Sequence, residues 1–407
     1  MLSNRREFLQ LAAAGAVTLG AQGLAPAFLR AAAREASGQS NVLVVIQMSG
    51  GNDGLNTIVP FAEGRYYKAR PKLAIAKNDV LKIDKELGFN PVLRSFADLL
   101  EAGHLGIVQG VGYPNPNRSH FESMDIWHTC HRRSEDRNEG WLGRTVDQLQ
   151  HAERQEIPGV HVGDDRLPLA LFSRSHRIPS IQSMDQFHLK AKEEESMQAF
   201  RRMASQSTGS EGSMLDFLTT STVTALDVSQ QIQESIKSQS TAVEYPQTGL
   251  GRKLRSISQL ISADLGTRIF YAEIDGFDTH ALQAGAHTGL LRELGEAVSA
   301  FVDDLKTTGN LDRVTTVCFS EFGRRVAENA SEGTDHGTAA PMFLIGGQVQ
   351  SGLIGKHPSL DDLEQGDLKF HTDFRQVYAG LLQQWLKCDS DKVLGEHFDP
   401  VSVIRKA

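Results

Sequence analysis

The sequence predicts an α/β fold. Three observations carry that expectation: strand-like runs alternate with helical ones, one stretch reads as a complete strand-helix-strand unit, and several strands end abruptly in loops rich in acids and histidines. The first such run is Val42-Leu43-Val44-Val45-Ile46-Gln47, β-branched in the manner of a buried strand, and Ser49-Gly50-Gly51-Asn52-Asp53-Gly54 follows it at once. The glycines let the backbone turn tightly, which leaves Asp53, with Asn52 and Asn56 beside it, at the carboxyl edge of a sheet. Open α/β proteins place their ligands at that edge.

Residues 96–102 then read as helix, 104–111 as strand, and 121–129 as a helix that starts after the turn Tyr113-Pro114-Asn115-Pro116-Asn117. Residues 156–172 look like strand and loop. The polar stretch at about 184–256, rich in Gln, Ser and Glu and broken at 207–213, reads as an inserted helical layer rather than a separate domain. The strand-helix-strand unit follows. A strand at 268–273 leads to Asp278-Thr279-His280, a long helix occupies 288–306, and a strand at 314–319 leads to Glu321. Another short buried strand, at 341–347, comes directly after Glu332-Gly333-Thr334-Asp335-His336-Gly337. No internal repeat is evident.

Before the first strand lie paired arginines, Arg5-Arg6, with Phe8 two residues on, a modestly apolar stretch at 11–24, and small residues at Ala25-Pro26-Ala27 and Ala31-Ala32-Ala33. This pattern predicts a twin-arginine export signal over 1–33, ahead of one α/β domain at 40–407. The expected partner is the twin-arginine translocation machinery, and the expected place is the periplasm or the medium. That route carries folded cargo, often after metal loading. The apolar run is shorter than the roughly 20 residues a membrane span needs, so no stable span is expected after cleavage. The formal charge is -8, and no basic run interleaved with aromatics points to nucleic acid. Cys130, Cys318 and Cys388 are odd in number and widely spaced, which excludes a disulfide framework while leaving one pair free to bridge.

Carboxylates and imidazoles at strand ends suit a divalent metal, and no cysteine stands near them to make a thiolate zinc site. Asp278 and His280 are two residues apart, so in extended structure their side chains share one side. His128 and His131 lie three apart with Cys130 between them, a spacing too weak to assign.

Five blocks carry a family resemblance: residues 49–60, Asn117-Arg118-Ser119-His120-Phe121, Gly276-Phe277-Asp278-Thr279-His280, Ser320-Glu321-Phe322-Gly323-Arg324, and Thr372-Asp373-Phe374-Arg375-Gln376-Val377-Tyr378. They resemble the signature blocks of domain of unknown function 1501. That family is in turn similar to a distant branch of the alkaline phosphatase and sulfatase superfamily. The resemblance implies a large, mostly parallel sheet sandwiched by helices, with one or two metals, Zn, Mn, Mg or Ca, at the carboxyl ends of the strands. It implies metal ligands at Asp53, Asp278, His280 and His336. Glu321 falls where an Asp-His pair normally stands, with Phe322 in place of its His; a rival register makes Asp335-His336 that pair, with His357 or His371 as the last ligand.

The sulfatase nucleophile position falls on Pro114, which has no nucleophilic atom, so Ser119 is the nearest hydroxyl. It stands either as nucleophile or as the N-cap of the following helix. Arg118 is placed to clamp a sulfate or phosphate or to make an ion pair, and His120 to act as base, ligand or packed histidine. Arg375 is expected to anchor the last helix. The expected function is an exported, metal-dependent hydrolase of anionic sulfate or phosphate esters, with a noncatalytic metal-binding or assembly protein on the same fold as the alternative.

Overall fold

Alternate residues of the first strand bury against two different layers, which is the signature of a sheet covered on both faces. In this computed structural model, which describes residues 40–149, 157–163, 166–182 and 242–405, the strand β1 spans Val42–Met48 and is buried throughout. Val42, Val44, Ile46 and Met48 join one core cluster, and Leu43 and Val45 the other.

Eight more strands complete the central sheet: β2 (Leu105–Gly112), β3 (Gly159–Val162), β4 (Ser180–Ile181), β5 (Ile269–Ile274), β6 (Val314–Phe319), β7 (Ala340–Gly346), β8 (Gly352–Ile354) and β9 (Thr372–Asp373). Their order is β8-β2-β7-β6-β1-β5-β3-β4, with β9 also paired to β2. Every pairing is parallel except those of β7, which runs antiparallel to both β2 and β6. The expected large, mostly parallel sheet is therefore present. On one face lie α1 (Arg94–Glu101), α4 (Gly249–Ser262) and α5 (Gln283–Thr307), burying Leu254, Ile257, Leu294, Val298 and Phe301 among others. On the other lie α2 (His120–Thr129), α3 (Trp141–Gln148) and α6 (Phe374–Gly380), with Trp127, Trp141 and Tyr378 in its core.

The expected strands at 42, 104, 268, 314 and 341 all appear within a residue or two of their predicted bounds. The helix expected at 288–306 starts earlier, at Gln283, because Leu282 in a left-handed conformation (φ 46°) turns the chain into it. The core helix α4 takes over at Gly249, inside the insertion expected at 184–256. Residues 184–241 of that insertion, and the export signal at 1–33, lie outside the described residues. Among the described residues, no helix is long and apolar enough to cross a membrane. Cys130, Cys318 and Cys388 are buried and free. Arg375 pairs with Asp373, which closes a capping box with Gln376 at the start of α6.

Three histidines are held neutral by this core. Burial pushes His128 down to about 3, and His287 and His357 to about 4. An unfolded histidine takes its proton near pH 6.5, so the unfolded chain binds protons first and stability falls as pH drops from about 6.5 toward 4. At about 1.4 kcal/mol per pKa unit, the combined loss is on the order of several kcal/mol. Urea unfolding at pH 7 and pH 5, with a chelator present, should show it. Equal midpoints at the two values would rule it out.

Candidate metal centre

Parallel β5, β1 and β6 lie side by side, so the loops after them open at one edge of the sheet. Asp278 and His280 follow β5, and Glu321 follows β6. The antiparallel course of β7 brings the residues before it to the same edge, and these include His336. His120, the first residue of α2, reaches in from the helical layer. The turn after β1 must press close to this edge. Gly50 has φ +113°, and a Cβ there would lie 2.3 Å from the Asp278 nitrogen.

Three imidazoles converge on one carboxylate oxygen. Nε2 of His280, His336 and His120 lie 3.0, 3.1 and 3.4 Å from Oδ1 of Asp278, and the Nε2 atoms of His280 and His336 are 2.9 Å apart. Each opposite ring nitrogen faces an acceptor. Nδ1 of His336 meets the Arg118 carbonyl at 2.7 Å, Nδ1 of His120 meets Glu321 Oε1 at 2.8 Å, and Nδ1 of His280 meets Asp335 Oδ1 at 3.2 Å. A carbonyl and two carboxylates place the single proton of each neutral ring on Nδ1, which leaves three Nε2 lone pairs pointing together. His120 Nε2 is buried with no hydrogen-bond partner. Lone pairs and a carboxylate oxygen crowded this way repel one another unless a cation stands among them. The donor set fits one: metal-bound histidines characteristically donate their other ring N–H to a carboxylate or carbonyl.

The family model described as protein of unknown function (DUF1501) matches residues 108–397. The chain belongs to this family. Its match covers four of the five sequence blocks and leaves the turn at Asp53 outside. No curated protein matches. Among solved structures, the PsFucS1 sulfatase from Pseudoalteromonas sp. is similar at 9% identity and a TM-score of 0.40, over 97% of this chain and 77% of that one. The C-terminal periplasmic domain of EcEptC from Escherichia coli, in complex with Zn, is similar at 9% identity and a TM-score of 0.37, over 76% and 74%. The lipoteichoic acid synthase LtaP from Listeria monocytogenes is similar at 8% identity and a TM-score of 0.37, over 78% and 68%.

In this DUF1501 chain a buried guanidinium lies beneath the imidazoles. Arg324 donates to the carbonyls of Gly51 (2.7 Å), Thr334 (2.8 Å) and Phe277 (3.0 Å), and to Asp278 Oδ1 at 2.6 Å. Partial burial alone would raise the Asp278 carboxyl, but the hydrogen bond and positive charge of Arg324 outweigh it and hold the group at about 2. The hydrogen bond to Glu321 raises His120 against its own desolvation. Asn329, then His280, hold Asp335 below the ordinary carboxylate range. Asp278, Glu321 and Asp335 set against Arg324 leave two negative charges, which matches a divalent cation.

Asp278, His280 and His336 are thus brought together as expected, and His120, expected equally as base, ligand or packed ring, joins them. The other expected ligands stand elsewhere. Glu321 is buried behind His120, where it also accepts from the Gly50 amide at 2.9 Å. Asp335 is behind His280. Asp53 is fully buried in an ion pair with Arg70 at 2.5 Å, outside the group of His120, Asp278 and His336 whose donor atoms lie within 4.8 Å of one another. Their side chains turn away because each finds a stronger local partner than an open edge. Arg118 does not present a free fork, since its guanidinium is paired with buried Asp367 and its carbonyl holds His336. Ser119 occupies the N-cap position of α2 but caps nothing; the Asn117 side chain accepts from its amide at 2.8 Å. Arg70, Asp367, Asn329 and Gln283 carry no motif that sequence reading could have used.

Proposed function

We propose that this protein is an exported, metal-dependent hydrolase of sulfate or phosphate esters. The observation that carries the reading is the convergence of three Nε2 lone pairs on Asp278 Oδ1 with every Nδ1 held by an acceptor. His120, His280, His336 and Asp278 would hold the ion. Three nitrogens and one carboxylate favour Zn²⁺ or a similar borderline ion over Mg²⁺ or Ca²⁺, which take oxygen ligands. When bound, such a cation neutralises charge on an ester oxyanion and lowers the pKa of an attacking oxygen. The chain's own contribution is orientation: Glu321, Asp335 and the Arg118 carbonyl keep the ring protons on Nδ1, and Arg324 keeps Asp278 ionised and in place.

Ser119, free of any cap bond and adjacent to His120, is the hydroxyl offered for attack. Its replacement by alanine should leave stability within about 0.5 kcal/mol, since no hydrogen bond of the side chain is lost. Turnover should disappear if Ser119 attacks and persist if water does. Metal analysis of protein purified after native export, followed by a screen of sulfate and phosphate esters with wild type and S119A, tests the whole reading. Exported protein free of transition metal would defeat it. Full occupancy with no ester cleaved would favour a noncatalytic metal-binding protein, a reading consistent with the engagement of Arg118 by Asp367.

The export step is supported by Arg5-Arg6 and the small residues up to Ala33. Changing both arginines to lysine should strand the precursor in the cytoplasm. Mature protein still found outside after cell fractionation would point to another route.

A further inference from the structure

We propose that Gln283 is a positioning residue of the metal centre: its buried amide clasps the loop of Asp278 and His280 to the loop of Asp335 and His336, with Asp53 as its anchor instead of a ligand. This rests on the metal reading above. Gln283 is fully buried at the first position of α5. Its Oε1 accepts from the hydroxyls of Thr279 at 3.0 Å and Thr334 at 2.5 Å. Thr279 stands between Asp278 and His280, and Thr334 immediately precedes Asp335-His336. One oxygen atom therefore ties together the two loops whose histidines must meet with Nε2 atoms 2.9 Å apart.

The amide can face only one way. Its Nε2 donates to Asp53 Oδ2 at 2.5 Å, and a carboxylate accepts but cannot donate, so the oxygen is turned to the threonine hydroxyls. Asp53 is fixed in turn by Arg70, which also donates to the backbone carbonyls of Arg325 (2.9 Å) and Val326 (3.0 Å), just past β6. The loops are drawn tightly against each other: the Thr334 amide donates to the Thr279 carbonyl at 3.2 Å, and a Cβ on Gly333 would lie 2.2 Å from the His280 carbonyl. The other Asp53 oxygen, Oδ1, is buried without a hydrogen-bond partner, so an Asp53 variant belongs in the test.

Zinc affinity is measured by chelator competition at 25 °C on folded wild type, Q283M, D53N, H336A and L260A. Q283M keeps the volume and loses both sets of hydrogen bonds; it should bind zinc about 10- to 100-fold more weakly. L260A opens a cavity in α4 and should melt lower with wild-type affinity. D53N keeps an oxygen facing Gln283 and should lose no more affinity than Q283M. Unchanged affinity in Q283M overturns the clasp, as does an equal loss in L260A. A loss in D53N as deep as that in H336A makes Asp53 a ligand and overturns its assignment. Wild type that binds no zinc overturns the metal reading and the clasp together, an outcome distinct from either variant result. Should Q283M not fold, Thr334→Val removes one hydroxyl donor and carries the same expectation of weaker binding.

Discussion

Replacing His336 with alanine is expected to empty the proposed metal centre. The ring supplies a donor in contact with both Asp278 and His280, so its loss should exceed the 10- to 100-fold drop expected when a residue behind a ligand is removed. Glu321→Gln provides that smaller effect, because Glu321 touches only the far side of His120. Arg118→Met should leave affinity almost unchanged, since the His336 proton is held by the main-chain carbonyl of residue 118, which every side chain retains. The order H336A, E321Q, R118M in metal affinity is checked by chelator competition and elemental analysis. An H336A protein with wild-type stoichiometry would exclude the ring from the site.

Arg70→Met should destabilise the fold by about 3 to 5 kcal/mol, the cost of leaving a buried charge without its partner. Arg70 and Asp53 have side chains 0% and 1% exposed, so water screens neither. In the wild type, burial would raise the Asp53 carboxyl, but Arg70 overrides it and keeps the group below its ordinary value. In the variant the desolvation remains and the guanidinium is gone, so the folded-state pKa rises above the unfolded one. A raised carboxyl binds its proton earlier in the folded chain, and the deficit relative to wild type should shrink as pH falls. Urea unfolding of both proteins at pH 7 and pH 5 measures the deficit and its sign. A loss below 1 kcal/mol would mean that the pair contributes little net energy.

The legible parts of the fold were those with a repeating physical cause. β1 and β6 announce themselves as β-branched runs because both faces are covered, and their ends collect polar residues because the sheet edge is open. That logic reached Asp278 and His280. It could not distinguish a carboxylate facing the edge from one tucked behind, as Glu321 and Asp335 show, because the distinction is set by partners remote in sequence: Gly50 for Glu321. Asp53 finds a guanidinium 17 residues on and an amide 230 residues on, with no local pattern to mark either. His336 reaches the edge because β7 runs backwards, and short buried strands do not declare their direction. His120 sits one residue after a hydroxyl that looks like a cap, and only the geometry shows the cap bond unmade.

The central place of β1 has a consequence for the order in which the chain can fold. It is the first of the described strands to be synthesised, yet its two neighbours begin at Ile269 and Val314, so neither of its edges can be paired until about two-thirds of the chain exists, and both only when nearly four-fifths does. At about 5 to 20 residues per second, a ribosome takes on the order of 10 to 45 s to travel from the end of β1 to the end of β5. During that interval a flat run of valine, leucine and isoleucine has both hydrogen-bonding edges open, the kind of segment that pairs with other chains. Folding of this protein is therefore expected to be late, slow and dependent on protection of β1 while the rest of the chain is made.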